Sequence, residues 1–157
     1  MARITNGKDV PHPIPWQIRF ESNSGICGGT IINDQSILTA AHCFDDPSKD
    51  IASGLFIQAG ITKKKLQNNM QEIFVRKIII HPMFRRNNDL DMDNDIAILK
   101  LKKSLSFNDF VQPACLPDHS IDLNRLKYDP VVSGWGRNDG FGNMYMLSCD
   151  FLHLKNF

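Results

Sequence analysis

The sequence predicts an all-β fold, either a barrel or a sandwich, on three observations. Short runs of strand-forming residues recur along most of the chain and are separated by turn residues. The periodicity of an amphipathic helix is weak everywhere, apart from a single helical turn around residues 41–44. The composition, 42% hydrophobic and 22% charged residues, is that of a globular protein.

Eight runs are the candidate strands, and polar turn residues connect the early ones. Residues 22–25, Ser-Asn-Ser-Gly, and residues 33–35, Asn-Asp-Gln, are typical of tight turns between antiparallel strands. The predicted strands cover residues 16–20, 27–32, 36–39, 55–59, 72–80, 96–101, 130–133 and 146–154.

The spacing of these strands predicts two unequal β-units. Residues 4–112 form the first unit, and residues 113–129, which carry two prolines followed by a polar stretch, form a linker. The second unit, residues 130–157, holds only two predicted strands. Two strands cannot bury a core of their own, so we expect the second unit to be incomplete in this chain.

Charge and hydropathy exclude two classes of partner. The 157 residues include 18 basic and 17 acidic side chains, a net charge of +1, which leaves no basic field for nucleic acid. The longest apolar stretches, such as residues 78–80, fall far short of the roughly 20 residues that span a bilayer. We therefore expect neither nucleic acid nor a membrane as a partner.

The cysteines indicate an oxidising compartment. None of the four lies in a Cys-x-x-Cys pair, which disfavours zinc and redox motifs and favours disulfides. Residues 1–7 lack the apolar segment of a signal peptide, and we attribute this to an incomplete or processed N-terminus. The predicted localisation is extracellular. The cysteines are Cys27, Cys43, Cys115 and Cys149.

A histidine and an aspartate are the candidate catalytic residues. His42 lies three residues after the end of the predicted strand 36–39, and a lone histidine next to an apolar strand is more often structural than catalytic. Asp95 leads straight into the apolar run 96–99, and a carboxylate at the mouth of a buried strand needs a partner to offset its desolvation. A histidine Nδ1–H is such a partner.

The acidic stretch before Asp95 predicts no metal site. Residues 89–95 alternate carboxylates, but a calcium loop of the EF-hand type requires glycine at its sixth place and glutamate at its twelfth. Those places hold Asn94 and Lys100. We therefore interpret the other aspartates of this stretch as a solvated loop, and we expect neither a metal ion nor a cofactor.

Residues 38–43, Leu-Thr-Ala-Ala-His-Cys, and residues 94–101, Asn-Asp-Ile-Ala-Ile-Leu-Lys-Leu, resemble the histidine and aspartate motifs of the chymotrypsin/trypsin-like serine proteases. Four shorter matches extend the resemblance over nearly the whole chain. It implies a trypsin-like double β-barrel whose first barrel is complete and whose second is truncated. It also implies that His42 is a general base and that Asp95 orients it. The shorter matches are residues 15–18, 81–82, 112–117 and 132–136.

The same resemblance implies further features of a secreted zymogen. Cleavage between Arg3 and Ile4 would activate the protein, and a disulfide between Cys27 and Cys43 would fix the backbone beside His42. The partners implied are protein or peptide substrates and protease inhibitors. The family's calcium loop lacks its acidic ligands here, since Ile61 and three lysines stand in that region, so no calcium is expected.

One family motif is missing from the 157 residues. None of the serines lies in the nucleophile motif Gly-Asp-Ser-Gly-Gly-Pro, so the oxyanion hole and specificity pocket that accompany it are not represented. The main hypothesis is a serine endopeptidase of which this chain is the inactive front part. Two alternatives are a non-catalytic homologue that binds a protein through the first barrel, and a structural light chain. Cys115 and Cys149 either pair with each other, stay free or link a partner segment.

Overall fold

The computed structural model describes residues 8–22, 25–44, 52–62, 70–87, 92–116, 131–137 and 144–150. Within these ranges almost all of the regular secondary structure is β-strand, which confirms the predicted fold class. One 3-10 turn, Ala41–Cys43, lies at the predicted helical turn. The strands are β1 (Lys8–Asp9), β2 (Gln17–Ser22), β3 (Gly25–Asn33), β4 (Ser36–Thr39), β5 (Phe56–Ala59), β6 (Gln71–Ile80), β7 (Arg85–Arg86), β8 (Met92–Asp93), β9 (Ala97–Leu101), β10 (Val131–Arg137) and β11 (Met144–Asp150).

Six strands close into a barrel in the order β2-β3-β4-β9-β6-β5. Closure removes the unpaired strand edges that an open sheet would expose. Alternate residues of each strand point inward, as on β9, where Ala97, Leu99 and Leu101 are buried while the two residues between them are half-buried. The fully buried core side chains include Ile18, Ile31, Ile37, Ile57, Val75 and Leu99.

A second sheet lies outside the barrel and has the order β1-β11-β10. Its first strand comes from the start of the chain, since Lys8 pairs with Ser148 and Asp9 with Leu147. Strand β10 contacts the barrel at β2, where Ser133 Oγ donates a hydrogen bond to Gln17 Oε1 at 2.9 Å. The predicted domain boundaries at residues 112/113 and 129/130 remain predictions.

Gly29 on β3 occupies a place where the barrel leaves no room for a side chain. A Cβ built there would lie 2.8 Å from Ile37 Cγ2, 3.0 Å from Ile18 Cδ1 and 3.0 Å from the Leu38 carbonyl oxygen. These contacts are shorter than van der Waals contact, and two of the three neighbours are packed in the core. The glycine therefore allows β3 to pack closely against β2 and β4.

We expect Gly29→Ala to lower the free energy of unfolding by about 1–3 kcal/mol, because overpacking forces the core to shift. Urea denaturation followed by tryptophan fluorescence measures the change. Gly28→Ala is the matched control, since the nearest atom to its Cβ is the end of the flexible Gln17 side chain, at 3.3 Å. An equal loss in both variants would contradict this explanation.

No helix in the described ranges is long and apolar enough to cross a bilayer. Over the same ranges, no three His, Cys, Asp or Glu side chains are grouped in a way that could hold a metal ion.

Candidate active site

His42 lies at the centre of the 3-10 turn that follows β4. The neighbouring Ala41 and Cys43 are buried, and a disulfide joins Cys43 to Cys27 on β3. The turn is thus anchored to the barrel on both sides of the histidine, whereas the His42 side chain keeps 43% of its surface exposed. The ring is therefore held in position but remains accessible to a substrate.

The pairing of β4 with β9 brings Asp95 to this turn. Thr39 at the end of β4 lies opposite Ala97 at the start of β9, so the residues just beyond these two points meet at one end of the barrel. Asp95 Oδ2 lies 2.7 Å from His42 Nδ1, and Asp95 Oδ1 accepts a hydrogen bond from the His42 backbone N–H at 2.8 Å. The aspartate thus contacts both the ring and the backbone of the histidine.

Asn94 shapes the turn that presents Asp95. Its φ of 54° places it in the left-handed region, which asparagine adopts more readily than most residues. Its carbonyl accepts a hydrogen bond from the Ile96 N–H at 2.8 Å, and its side-chain amide donates to the Met83 carbonyl at 3.1 Å. Asn94 was quoted in the sequence motif, but this conformational role was not predicted.

The two contacts with His42 control the ionisation of Asp95. Burial of the carboxyl opposes ionisation, but hydrogen bonds from the His42 ring and from the backbone of His42 and Ala41 outweigh it. The pKa of Asp95 is therefore lowered from its ordinary value of 3.8. Asp95 is therefore a carboxylate at neutral pH, and it can accept a hydrogen bond from the His42 ring.

A groove of about 700 Å³ begins at Asp95 and runs between the barrel and β10. Its lining includes the small residues Gly28, Thr39 and Ala40. Its apolar lining includes Trp16 and Ile96, each 43% exposed, and Trp135 of β10. A groove of this size, next to the hydrogen-bonded pair of His42 and Asp95, could accommodate an extended peptide or a polypeptide segment.

A buried cation supports the β10 wall of this groove. The Arg19 side chain is only 4% exposed, hydrogen-bonds to Gln58 and Glu21, and places its Cζ 5.9 Å from the centroid of the Trp135 ring. Within the described part of the chain, Trp135 Nε1 is a buried donor without a hydrogen-bond partner. The sequence analysis did not single out Arg19, which lies within the predicted strand 16–20.

The other predicted site residues are distributed as follows. The Cys27–Cys43 disulfide is present. Cys115 is exposed and forms no disulfide, so it is not paired with Cys149, whose backbone lies in β11. The predicted cleavage site, Arg3 and Ile4, falls outside the described residues.

Comparisons with known proteins agree with this geometry. A family model described as Trypsin matches residues 4–154. Complement C1s subcomponent of Rattus norvegicus is 35% identical over 138 residues, which cover 85% of this chain and 19% of that protein. Complement C1s-1 subcomponent of Mus musculus is 36% identical over 135 residues, covering 80% of this chain and 18% of that protein. The chain therefore spans about a fifth of the length of these relatives.

A solved structure shares the fold. The structure described as neuropsin, a serine protease expressed in the limbic system of mouse brain, superimposes with a TM-score of 0.71 at 26% identity. The match covers 94% of this chain and 63% of that one.

Proposed function

Because this chain belongs to the trypsin family of serine proteases, we propose that it is the front part of a secreted serine endopeptidase and supplies His42 and Asp95 to its catalytic triad. The observation that carries the proposal is the double contact of Asp95 with the His42 ring and backbone. This contact orients the imidazole, which is what a general base requires.

The hydrogen bond at Nδ1 determines what the histidine can do. With Nδ1–H donating to the Asp95 carboxylate, Nε2 keeps its lone pair and can accept a proton. His42 would take the proton of an attacking hydroxyl at Nε2 and later return it to the leaving amine of the peptide. Asp95 would stabilise the charged ring between these two steps without taking the proton itself.

The nucleophile is not among the candidate residues of this chain. Ser133 lines the groove, but its hydroxyl donates a hydrogen bond to Gln17 Oε1. The family's nucleophile motif is absent from the 157 residues. We therefore propose that the chain alone is inactive and that a serine encoded beyond Phe157 completes the site. Activation by cleavage between Arg3 and Ile4 belongs to the same proposal.

The experiment is to sequence the transcript past the codon for Phe157 and to express the product that it encodes. After treatment with a trypsin-like activator, this product should hydrolyse peptide esters and should be labelled covalently by a serine-directed phosphonofluoridate. The 157-residue chain is the matched control and should do neither. A longer product that carries the serine but is inactive after cleavage would contradict the proposal. A frame that ends without a nucleophile would favour a non-catalytic, protein-binding homologue.

A further inference from the structure

Several basic side chains lie close together at a β-bulge between β6 and β9. Between β6 and β9, Val75 pairs with Leu101 and Lys77 pairs with Lys100, so β6 advances two residues while β9 advances one. In such a bulge two residues oppose a single partner. Arg76 and Lys77 are both exposed, and together they face Lys100. Three cations therefore share one rung of the sheet.

A fourth cation, Lys102, lies directly after the last residue of β9 and adds to this group. Lys102 is exposed, and its Nζ lies 5.7 Å from the centroid of the Phe74 ring, while its backbone N–H donates to the Phe74 carbonyl at 2.8 Å. Phe74 precedes Arg76 by two residues, so its side chain points to the same outer face of β6. We call Arg76, Lys77, Lys100 and Lys102 the bulge cluster.

Among the residues that the structure describes, no acidic side chain forms an ion pair with the bulge cluster. In the part of the chain that the structure describes, no carboxylate oxygen lies within the 4.0 Å ion-pair distance of any of the four cations. The only hydrogen bond from a side-chain nitrogen of the cluster there is from Lys100 Nζ to the uncharged Ser36 Oγ, at 2.7 Å. Like charges placed opposite each other destabilise a sheet. Because the net charge of the whole chain is only +1, this concentration is local.

Apolar side chains border the cluster on the same surface. Phe74 is 48% exposed and contacts Phe56 edge-on, and Ile79, two residues beyond Lys77, is 41% exposed. The barrel is closed, so a partner cannot add a strand here and must bind through side chains. A surface of cations beside exposed aromatic and aliphatic groups complements a peptide that is acidic and carries an apolar side chain.

We propose that the bulge cluster, together with Phe74 and Ile79, is a docking surface for an acidic polypeptide segment with at least one large apolar side chain. Charge complementarity selects the acidic partner, and the two exposed apolar groups favour a polypeptide over a sulfated polysaccharide. Lys100 lies five residues beyond Asp95, about 17 Å along an extended strand. The surface is thus separate from the His42–Asp95 pair, and the proposal does not depend on catalysis.

Fluorescence anisotropy with a short labelled peptide of Asp and Glu around a central Phe tests the proposal on the 157-residue chain. We expect saturable binding at low salt that weakens as NaCl is added. Lys77→Gln should weaken binding about threefold, and Lys77→Gln/Lys102→Gln about tenfold, as expected for exposed charge pairs. Arg85→Gln, which removes an exposed cation from β7, is the matched control and should bind like the unaltered chain.

Two further measurements test whether the apolar contact contributes to binding and whether a loss of binding comes from a loss of stability. Phe74→Ser should weaken binding of the Phe-containing peptide more than binding of the same peptide with Ala at its centre. The melting temperature of Lys77→Gln should be unchanged or higher, because the substitution removes a like-charge contact. Equal binding by the double variant and by Arg85→Gln would overturn the proposal. The proposal would also be overturned if a heparin fragment bound to the bulge cluster and the acidic peptide did not.

Discussion

Asp95→Asn in the product that also carries the nucleophile is expected to lower kcat by about 10⁴-fold with little change in KM. The asparagine amide would donate to the histidine and would favour the tautomer that carries its proton on Nε2. The ring then could not accept the proton of the attacking hydroxyl. Steady-state kinetics on a peptide ester measure the loss, and His42→Ala should lose at least as much activity because it removes the base itself.

Asp93→Asn is the matched control for this substitution. Asp93 lies two residues before Asp95, is exposed and carries the same charge, so its loss should leave kcat close to that of the unaltered enzyme. If both variants lost activity equally, the effect would come from the charge of the loop and not from the contact with His42.

The same carboxylate predicts a pH dependence of stability that can be measured on the 157-residue chain. The folded-state pKa of Asp95 is lowered, so the unfolded chain binds this proton more readily than the folded one. The contribution of Asp95 is therefore complete well above its ordinary pKa of 3.8 and is lost as the pH falls through the lower folded value. Urea denaturation between neutral pH and pH 3 should show a smaller acid-induced loss for Asp95→Asn than for Asp93→Asn.

Removing the Cys27–Cys43 disulfide by replacing both cysteines with alanine is expected to cost about 3 kcal/mol of unfolding free energy. The cross-link joins two residues with a sequence separation of 16, and its removal raises the conformational entropy of the unfolded chain. For a unit of about 100 residues this corresponds to a melting temperature roughly 12–24 °C lower. Alanine suits the comparison because Cys43 is 3% exposed, and serine would bury a hydroxyl there.

Cys115→Ala is the control for the disulfide, because Cys115 is exposed and forms no disulfide. Its melting temperature should match that of the unaltered chain. A loss below about 1 kcal/mol in the double variant would mean that the packing of Ala41 and Cys43 holds the His42 turn without the cross-link.

The predictions from sequence were best where strand periodicity and local turns agree. Strand β4 has the predicted bounds, and the barrel strands β2, β3, β5, β6 and β9 differ from prediction by two residues or fewer at each end. Strand β10 continues to Arg137, four residues past its predicted end, because β11 pairs with it throughout. The predicted last strand began at residue 146, but β11 begins at Met144.

Pairing between strands that lie far apart along the chain could not be predicted from the sequence. Strand β1 has only two residues and exists because β11, far along the chain, supplies its hydrogen bonds. Strands β7 and β8 are equally short and pair only with each other. His42 and Asp95 were selected by their motifs, whereas the buried position of Arg19 follows from β10 covering the outer face of β2.

The pairing of β1 with β11 has a consequence for the order of events on the ribosome. All six barrel strands have been synthesised once Leu101 is made, but Lys8 must wait for Ser148 before its strand can form. At about 5–20 residues per second, Lys8 is synthesised about 7–28 s before Ser148, its partner in β11. Lys8 and Asp9 therefore stay available to chaperones, modifying enzymes and proteases while the residues up to Ser148 are synthesised, and the barrel can already fold during the last part of that interval.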